Sequence, residues 1–480
     1  MLKASTIFKV ATLKVALLVP VSLLLVSLAI AAPAPATAPS IIGAASRPAH
    51  RISSMPASLR SSLYQALAAD AAVLPFRADQ QVWREQKVTA DDGGYLDALG
   101  WSVAIDGSTA LIGAYYATIG SNSFQGAVYV FTESGGTWTQ AQKLTASDGA
   151  GGDNFGTSVA LDGDTALIGA AGYSVGNDLL VGTAYVFTRS NGVWTQGQKL
   201  LADDGAAVDT FGISVALEGN NALIGAHGAN IDGRNSQGAV YAFTATDGVW
   251  TQTQKLVADD GAAYDQFGQQ FALDGTTAVI GADQATYAND YPGKGAAYVF
   301  TLTQGVWTQM QRLEADDGEL ADYFARWVDI EGSTIVIGAP AANVFQGSAY
   351  VFTESGGTWT QSQKLVADDG ISGDFFADAV SIKGSTLLIG APGATIGGNP
   401  FTGAAYMFTT ADGVVWNQGS KLVPSDGAYG DEFGYSVILR DGGTALIGAP
   451  HPTDDGAGMA GAAYFYSLDT IFQNGFEATP

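Results

Sequence analysis

The chain contains no cysteine, which excludes disulfides, thiolate metal sites and cysteine nucleophiles. The redox compartment stays open, because an export route permits disulfides without requiring them. Histidine is almost as scarce: none of His50, His227 and His451 belongs to a His-Glu-x-x-His pattern. The one Gly-x-Ser-x-Gly match, Gly172-Tyr-Ser174-Val-Gly176, is not followed by a helical pattern, and no phosphate-cradling loop occurs, so the sequence offers no recognisable catalytic constellation. Charged residues make up 14% of the chain, against a usual ~25%, which argues against solvated helices. Positive charge is the scarcer sign. Twenty-one basic against 46 acidic residues give a formal charge of -25, which repels phosphate backbones and anionic headgroups.

What is present is apolar surface and glycine. Of 480 residues 47% are hydrophobic, ample for a large core, and 62 glycines mark many turns. Lys3, Lys9 and Lys14 precede an apolar run over 15–32, and Ala29-Ile30-Ala31 gives the small-x-small pattern of a cleavage site. Residues 1–32 therefore read as a signal peptide, and no membrane span is expected after cleavage. A retained anchor is the alternative, since the run approaches the ~18 residues that cross a bilayer. Residues 33–75 are rich in Ala, Pro and Ser, with one short helix expected after Pro56. Residues 76–468 carry the repeats, and 469–480 form a tail that belongs to none of them.

An apolar tetrapeptide ending in Gly-Ala recurs at Leu111, Leu167, Leu223, Val279, Val336, Leu388 and Leu446, at spacings of 52 to 58 residues. Each repeat holds four short runs rich in Val, Ile, Phe and Tyr, bounded by Asp-Gly, Asn-Gly or Gly-Gly, which are hairpin turn signals. We term these strands a, b, c and d. Strand c is apolar at consecutive positions (Ala127 to Phe131), so both of its faces must be covered. Stacked sheets do that. The predicted fold is all-β: a seven-bladed β-propeller of four-stranded antiparallel blades. Repeat seven lacks its Trp-containing strand d, and Gln81-Val-Trp83-Arg-Glu-Gln-Lys87-Val supplies one at the other end of the chain. The N-terminal strand is thus expected to close blade seven. Trp83 stands four residues before Lys87, where Trp138 stands five before Lys143, so a one-residue slip or bulge is expected in this strand.

Phe-Gly opens strand a at Phe155, Phe211, Phe267 and Phe433, and Gly-Ala-Pro closes strand b at Gly338, Gly390 and Gly448. The pattern resembles the FG-GAP repeat family, which includes the integrin α-subunit propellers, and looks most like its bacterial exported branch. The resemblance implies the same closed propeller and a ligand-binding face formed by the b-to-c and d-to-a loops. It also implies calcium in the a-to-b loops, but here these are two-residue turns such as Asp106-Gly-Ser and Asp162-Gly-Asp, too short to wrap an ion. No cofactor is expected. An Asp-Gly-x-x-x-Asp run precedes every strand a, ending at Asp97, Asp153, Asp209, Asp265, Asp322, Asp374 and Asp431. Seven copies suit a turn device, with calcium ligation as the rival. The seven strand-d tryptophans suit packing between blades, with sugar stacking as the rival.

Function is sought on the loops that vary. The b-to-c loops carry Tyr115, Tyr116 and Phe124 in repeat one; Tyr287, Asp290 and Tyr291 in repeat four; and Asp454 and Asp455 in repeat seven. Repeat five places Arg326, Trp327 and Asp329 in strand a, where other repeats hold small or apolar residues, with Asp378 as a candidate neighbour. The expected function is an exported, secreted or surface-located binding or adhesion module, a monomer that takes an extracellular protein or glycan and is not an enzyme. A hydrolase or lyase using channel-mouth carboxylates, and a structural envelope component, are the alternatives.

Overall fold

The computed structural model of the chain describes residues 83–285, 293–451 and 460–468. Within them lie seven four-stranded antiparallel sheets, six of which run as meanders in chain order. Blade two shows the unit: Phe155–Asp162, Thr165–Ala170, Thr183–Ser190 and Val193–Leu200 form strands a to d. Its c-to-d turn is Asn191-Gly192, both at positive φ (51° and 79°), the primed geometry that suits the twist of two adjacent strands. Each strand a packs against the strand a of the next blade, so Leu99–Asp106, Phe155–Asp162, Val215–Glu218, Phe271–Asp274, Val328–Glu331, Val380–Lys383 and Ser436–Arg440 ring a central channel.

The seventh sheet is completed across the ends of the chain. Trp83–Val88 pairs with Ala462–Leu468 in unbroken register, from Trp83 opposite Leu468 to Val88 opposite Ala463. The expected bulge is not in this strand. It lies in the other six d strands, each of which slips register by one residue against strand c. Side chains alternate along a strand, so a spacing of five brings Trp138 and Lys143 to the same side only if one residue bulges out; a spacing of four needs no bulge.

Buried aromatics fill each blade and the seams between blades. Phe155 meets Tyr185 and Phe187 of its own sheet edge-on, at 5.6 and 5.8 Å between centroids, and Phe211, Phe267, Phe324, Phe376 and Phe433 repeat the contact. Trp138, Trp194, Trp250, Trp307, Trp359 and Trp416 are buried, as packing residues should be. Trp138 stacks on Phe465 at 4.2 Å across the closing seam. The glycines are there because backbones touch: a Cβ on Gly169 of strand b would collide with the carbonyl oxygen of Gly212, whose own φ is 90°.

Acidic residues lock one blade to the next. The second aspartate of each Asp-Gly-x-x-x-Asp run accepts the backbone N–H three residues before it, from Gly94 to Asp97 (2.7 Å) through Ala428 to Asp431 (2.7 Å). The turn reading holds in all seven copies. The first aspartate takes a strand-c tyrosine and a strand-d cation; Asp92, for example, accepts Tyr129 Oη at 2.8 Å and Lys143 Nζ at 2.7 Å. Burial would raise these carboxyls, but such bonds outweigh it at Asp92, Asp148, Asp204, Asp369 and Asp426 and hold them below the usual carboxylate range. On the opposite face, Asp106, Asp162, Glu218, Asp274 and Glu331 each accept the turn-glycine N–H of the following blade. The short a-to-b turns are fasteners between blades.

Candidate functional site

The b-to-c loop of each blade lies against the d-to-a loop that leads into the next. Gly152, Asn154 and Phe155 donate backbone N–H groups to the carbonyls of Ser123, Phe124 and Gln125. The residue before each strand-a Phe or Leu is left-handed in every blade although none is glycine: Ala98, Asn154, Thr210, Gln266, Tyr323, Phe375 and Glu432, with φ of 53° to 59°. Non-glycine residues leave the favoured regions at a cost, and such positions cluster where a surface is held in a required shape. This face also exposes large apolar side chains, among them Tyr95, Val208, Leu320, Val344 and Phe345.

The channel opens on this face as a cavity of about 240 Å³, lined by all seven strand-a segments. At its mouth stands the residue that follows each Phe-Gly, Phe-Ala or Leu-Gly pair: Trp101, Thr157, Ile213, Gln269, Arg326, Asp378 and Tyr435. The positions around it repeat; this one differs in every blade. The next position is Ser102, Ser158, Ser214 and Ser436 in four blades, whose hydroxyls donate to the neighbouring blade's Gly156, Gly212, Gly268 and Gly100 carbonyls. The scaffold is thus periodic and the mouth is not.

One side of the mouth is charged. Arg326 Nη1 lies 3.4 Å from Asp283 Oδ2, and Arg326 Nε lies 4.0 Å from Asp378 Oδ1. Burial pushes both carboxyls above their ordinary range, against the pull of the guanidinium. His227, half-buried nearby, is driven down to about 4 by burial and by Arg326, so its imidazole is neutral at physiological pH. On the opposite side of the mouth region His451 Nδ1 is 3.0 Å from Glu432 Oε2.

The other side is aromatic. Ring centroids run Tyr435 to Trp101 (4.6 Å), Trp101 to Tyr115 (4.2 Å), Tyr115 to Tyr116 (3.7 Å) and Tyr116 to Phe124 (5.0 Å). This path leads from the channel outward to a second hollow of about 330 Å³ lined by Leu96, Tyr116, Phe124, Asn154, Pro450 and His451. Tyr116 and Phe124 are 37% and 44% exposed, so they remain open to a partner.

Of the residues singled out from sequence, Tyr115, Tyr116 and Phe124 come together, and Arg326 meets Asp378 at the mouth. Trp327 also lines the cavity, but much of its ring is taken up by packing against the cores on both sides of blade six. Tyr287, Asp290, Tyr291, Asp454 and Asp455 lie outside the described residues. Trp101, Gln269 and Tyr435 were missed, and a signal for them existed: with the seven repeats aligned, theirs is the position that changes each time.

Deeper in the channel Asp329 occupies a place held by Ala104, Ala160, Ala216 and Ala272 in blades one to four. It accepts the N–H groups of Ile330 (2.9 Å) and, across the blade boundary, Ile382 (2.8 Å). Burial lifts its carboxyl to about 6. A raised carboxyl favours the folded state while protonated, so this contribution is complete below pH ~4 and is lost as pH rises through 6. In blade six Ser381 does the same work, accepting Leu439 N–H at 3.1 Å without a charge. Asp329→Ser is therefore expected to flatten the fall in stability between pH 4 and 7, worth roughly 2 kcal/mol, in urea melts at each pH. An undiminished slope would exclude Asp329 as its source.

Among the described residues no group of three His, Asp or Glu side chains is placed to hold a metal ion, and no helix is long and apolar enough to cross a membrane. No curated protein matches the chain. The FG-GAP repeat matches it seven times, over residues 83–131, 138–187, 194–243, 250–300, 307–352, 359–408 and 416–466, each match starting at a strand-d tryptophan and running through strands a and b into strand c. With most of its length so matched, and with Phe-Gly and Gly-Ala backbones in contact between blades, the chain belongs to the FG-GAP repeat family.

Proposed function

We propose that this propeller is an exported binding or adhesion module that takes an extracellular protein or glycan on the face formed by its b-to-c and d-to-a loops. The aromatic path from Phe124 to Tyr435 carries the reading: it joins exposed rings at the rim to the channel mouth on a backbone held rigid by left-handed turns. Exposed aromatics on a fixed scaffold bind at small entropic cost. The opposite face offers little of this, because its turn carboxylates are engaged between blades. Export rests on the basic and apolar N-terminal pattern of residues 1–32.

One observation favours the hydrolase or lyase reading: Asp283 and Asp378 gather on one side of the mouth with raised carboxyls. Against it, Arg326 lies within ion-pair distance of both carboxylates and would compete with any substrate for them. A screen of surface glycans and proteins, with and without a chelator, tests the binding reading. Replacing Tyr116 and Phe124 together by Ala is expected to weaken the ligand found by at least about tenfold, the loss of one modest hot spot. Tyr287→Ala with Tyr291→Ala tests the blade-four loop in the same assay. Unchanged affinity in both pairs would remove these loops from the site.

A further inference from the structure

We infer that the channel mouth binds one neutral sugar ring, free or at the end of a glycan. This rests on the loop-face reading and narrows it to a place and a ligand chemistry. The cavity of about 240 Å³ falls below the ~300–1,000 Å³ of drug-sized sites, which suits a single small ring. Its wall has two characters. Tyr435 and Trp101 present aromatic surface, against which the C–H face of a pyranose packs, its slightly positive hydrogens meeting the negative ring face. Gln269, Arg326 and Asp378 line the same cavity with planar polar groups.

One of these polar groups has an acceptor that the protein leaves unpaired. Gln269 Oε1 is buried without a hydrogen-bond partner among the described residues; outside the cavity lining, so are His227 Nδ1 and Asp283 Oδ1, the latter on a residue only 1% exposed. A buried polar atom left unpaired is costly, and Gln269 in the cavity wall calls for a ligand that pairs it. Charge decides its class. An anion would meet Asp378 in the lining, with the Asp283 carboxylate beyond Arg326; a cation would meet Arg326. A hydroxyl both donates and accepts, so an uncharged ring bearing several of them serves the amide and carboxylate acceptors and the guanidinium donors together. The mouth position, different in all seven blades of a periodic scaffold, fits a site built for an asymmetric ligand.

The test is saturation-transfer NMR on the full chain with glucose, galactose, mannose, fucose and N-acetylglucosamine, each as the free sugar and as the terminal unit of a polymer-linked glycan. Tyr435→Ala removes the stacking surface and Gln269→Leu removes an acceptor at nearly constant volume. Each is first shown to unfold cooperatively, and Tyr95→Ala on the exposed rim serves as control. Binding of at least one sugar, weakened about tenfold or more in either folded mouth variant and unaltered by Tyr95→Ala, is the expected result. Binding of the free form places the recognition in the ring itself, and binding confined to the polymer assigns it to a chain end. No binding of either form, or equal binding by both mouth variants, would overturn the inference. A glycan or protein ligand that is lost with Tyr116 and Phe124 but indifferent to Tyr435 and Gln269 would overturn it while leaving the loop-face reading intact.

Discussion

Deleting residues 1–88 is expected to open the closed ring. The strand Trp83–Val88 supplies the outer edge of blade seven and most of what joins blades six and seven on that side. Lys87 bonds Asp426 at 2.7 Å, Glu85 takes Ser425 Oγ at 2.7 Å and Tyr466 Oη at 2.8 Å, and Gln86 exchanges hydrogen bonds with the backbone of Trp138 in blade one. Counting ~1 kcal/mol for each strand bond and ~1.5–3 kcal/mol for each of Trp83 and Val88, the loss is roughly 5–10 kcal/mol, comparable with the whole net stability of an ordinary domain. The exposed strand Ala462–Leu468, with Tyr464, Phe465 and Tyr466, would then pair with other chains. Light scattering after size exclusion should show larger oligomers or aggregate in place of the species that the full chain forms. A peptide of residues 80–90 added in trans should restore the full chain's species by strand addition. A truncated chain that forms the same species as the full chain, with unchanged unfolding, would mean the ring is held shut by other contacts.

That closure was legible from one missing tryptophan strand at one end and one surplus strand at the other. Blade number and strand order were legible for the same reason: seven copies report one pattern, and turn signals at fixed offsets leave little choice of register. The bulge was misassigned because a spacing of four looked like the exception to five. The period-two alternation of strands holds the correct answer, since Trp138 and Lys143 must face the same neighbour. The mouth was harder to read. Tyr115, Tyr116 and Phe124 stand out as aromatics in a variable loop, whereas Trp101 and Tyr435 stand at the start of strand a, directly after its regular Leu-Gly or Phe-Gly pair, and were absorbed into that pattern. Asp378 was legible as a candidate neighbour of Arg326, but the ring geometry was needed to bring in blade four's Asp283, 43 residues before Arg326 in sequence.

The same geometry makes Arg326 the side chain whose loss should be felt most at the mouth. Blades two and three hold Ala171 and Ile213 where blades four and five hold Asp283 and Arg326, so the fold itself tolerates an uncharged pair. Arg326→Ile alone is different. It leaves Asp283, 1% exposed and already with one unpartnered oxygen, as a buried carboxylate without its cation. Breaking a buried pair from one side costs ~3–5 kcal/mol, and because the Arg326 side chain is 40% exposed we expect about 2–4 kcal/mol at pH 8. The deficit should shrink as pH falls, because burial already raises the Asp283 carboxyl and removing the guanidinium raises it further, so the variant takes up its proton at higher pH than the parent. Adding Asp283→Ala should then return most of the lost stability at pH 8, since removing both partners leaves nothing buried and unpaired. Chemical denaturation of the parent, both single variants and the double variant at pH 8 and pH 5 reads out the coupling directly. Equal deficits at the two pH values, or a double variant no better than Arg326→Ile, would show that Arg326 supports the mouth through packing and not through Asp283.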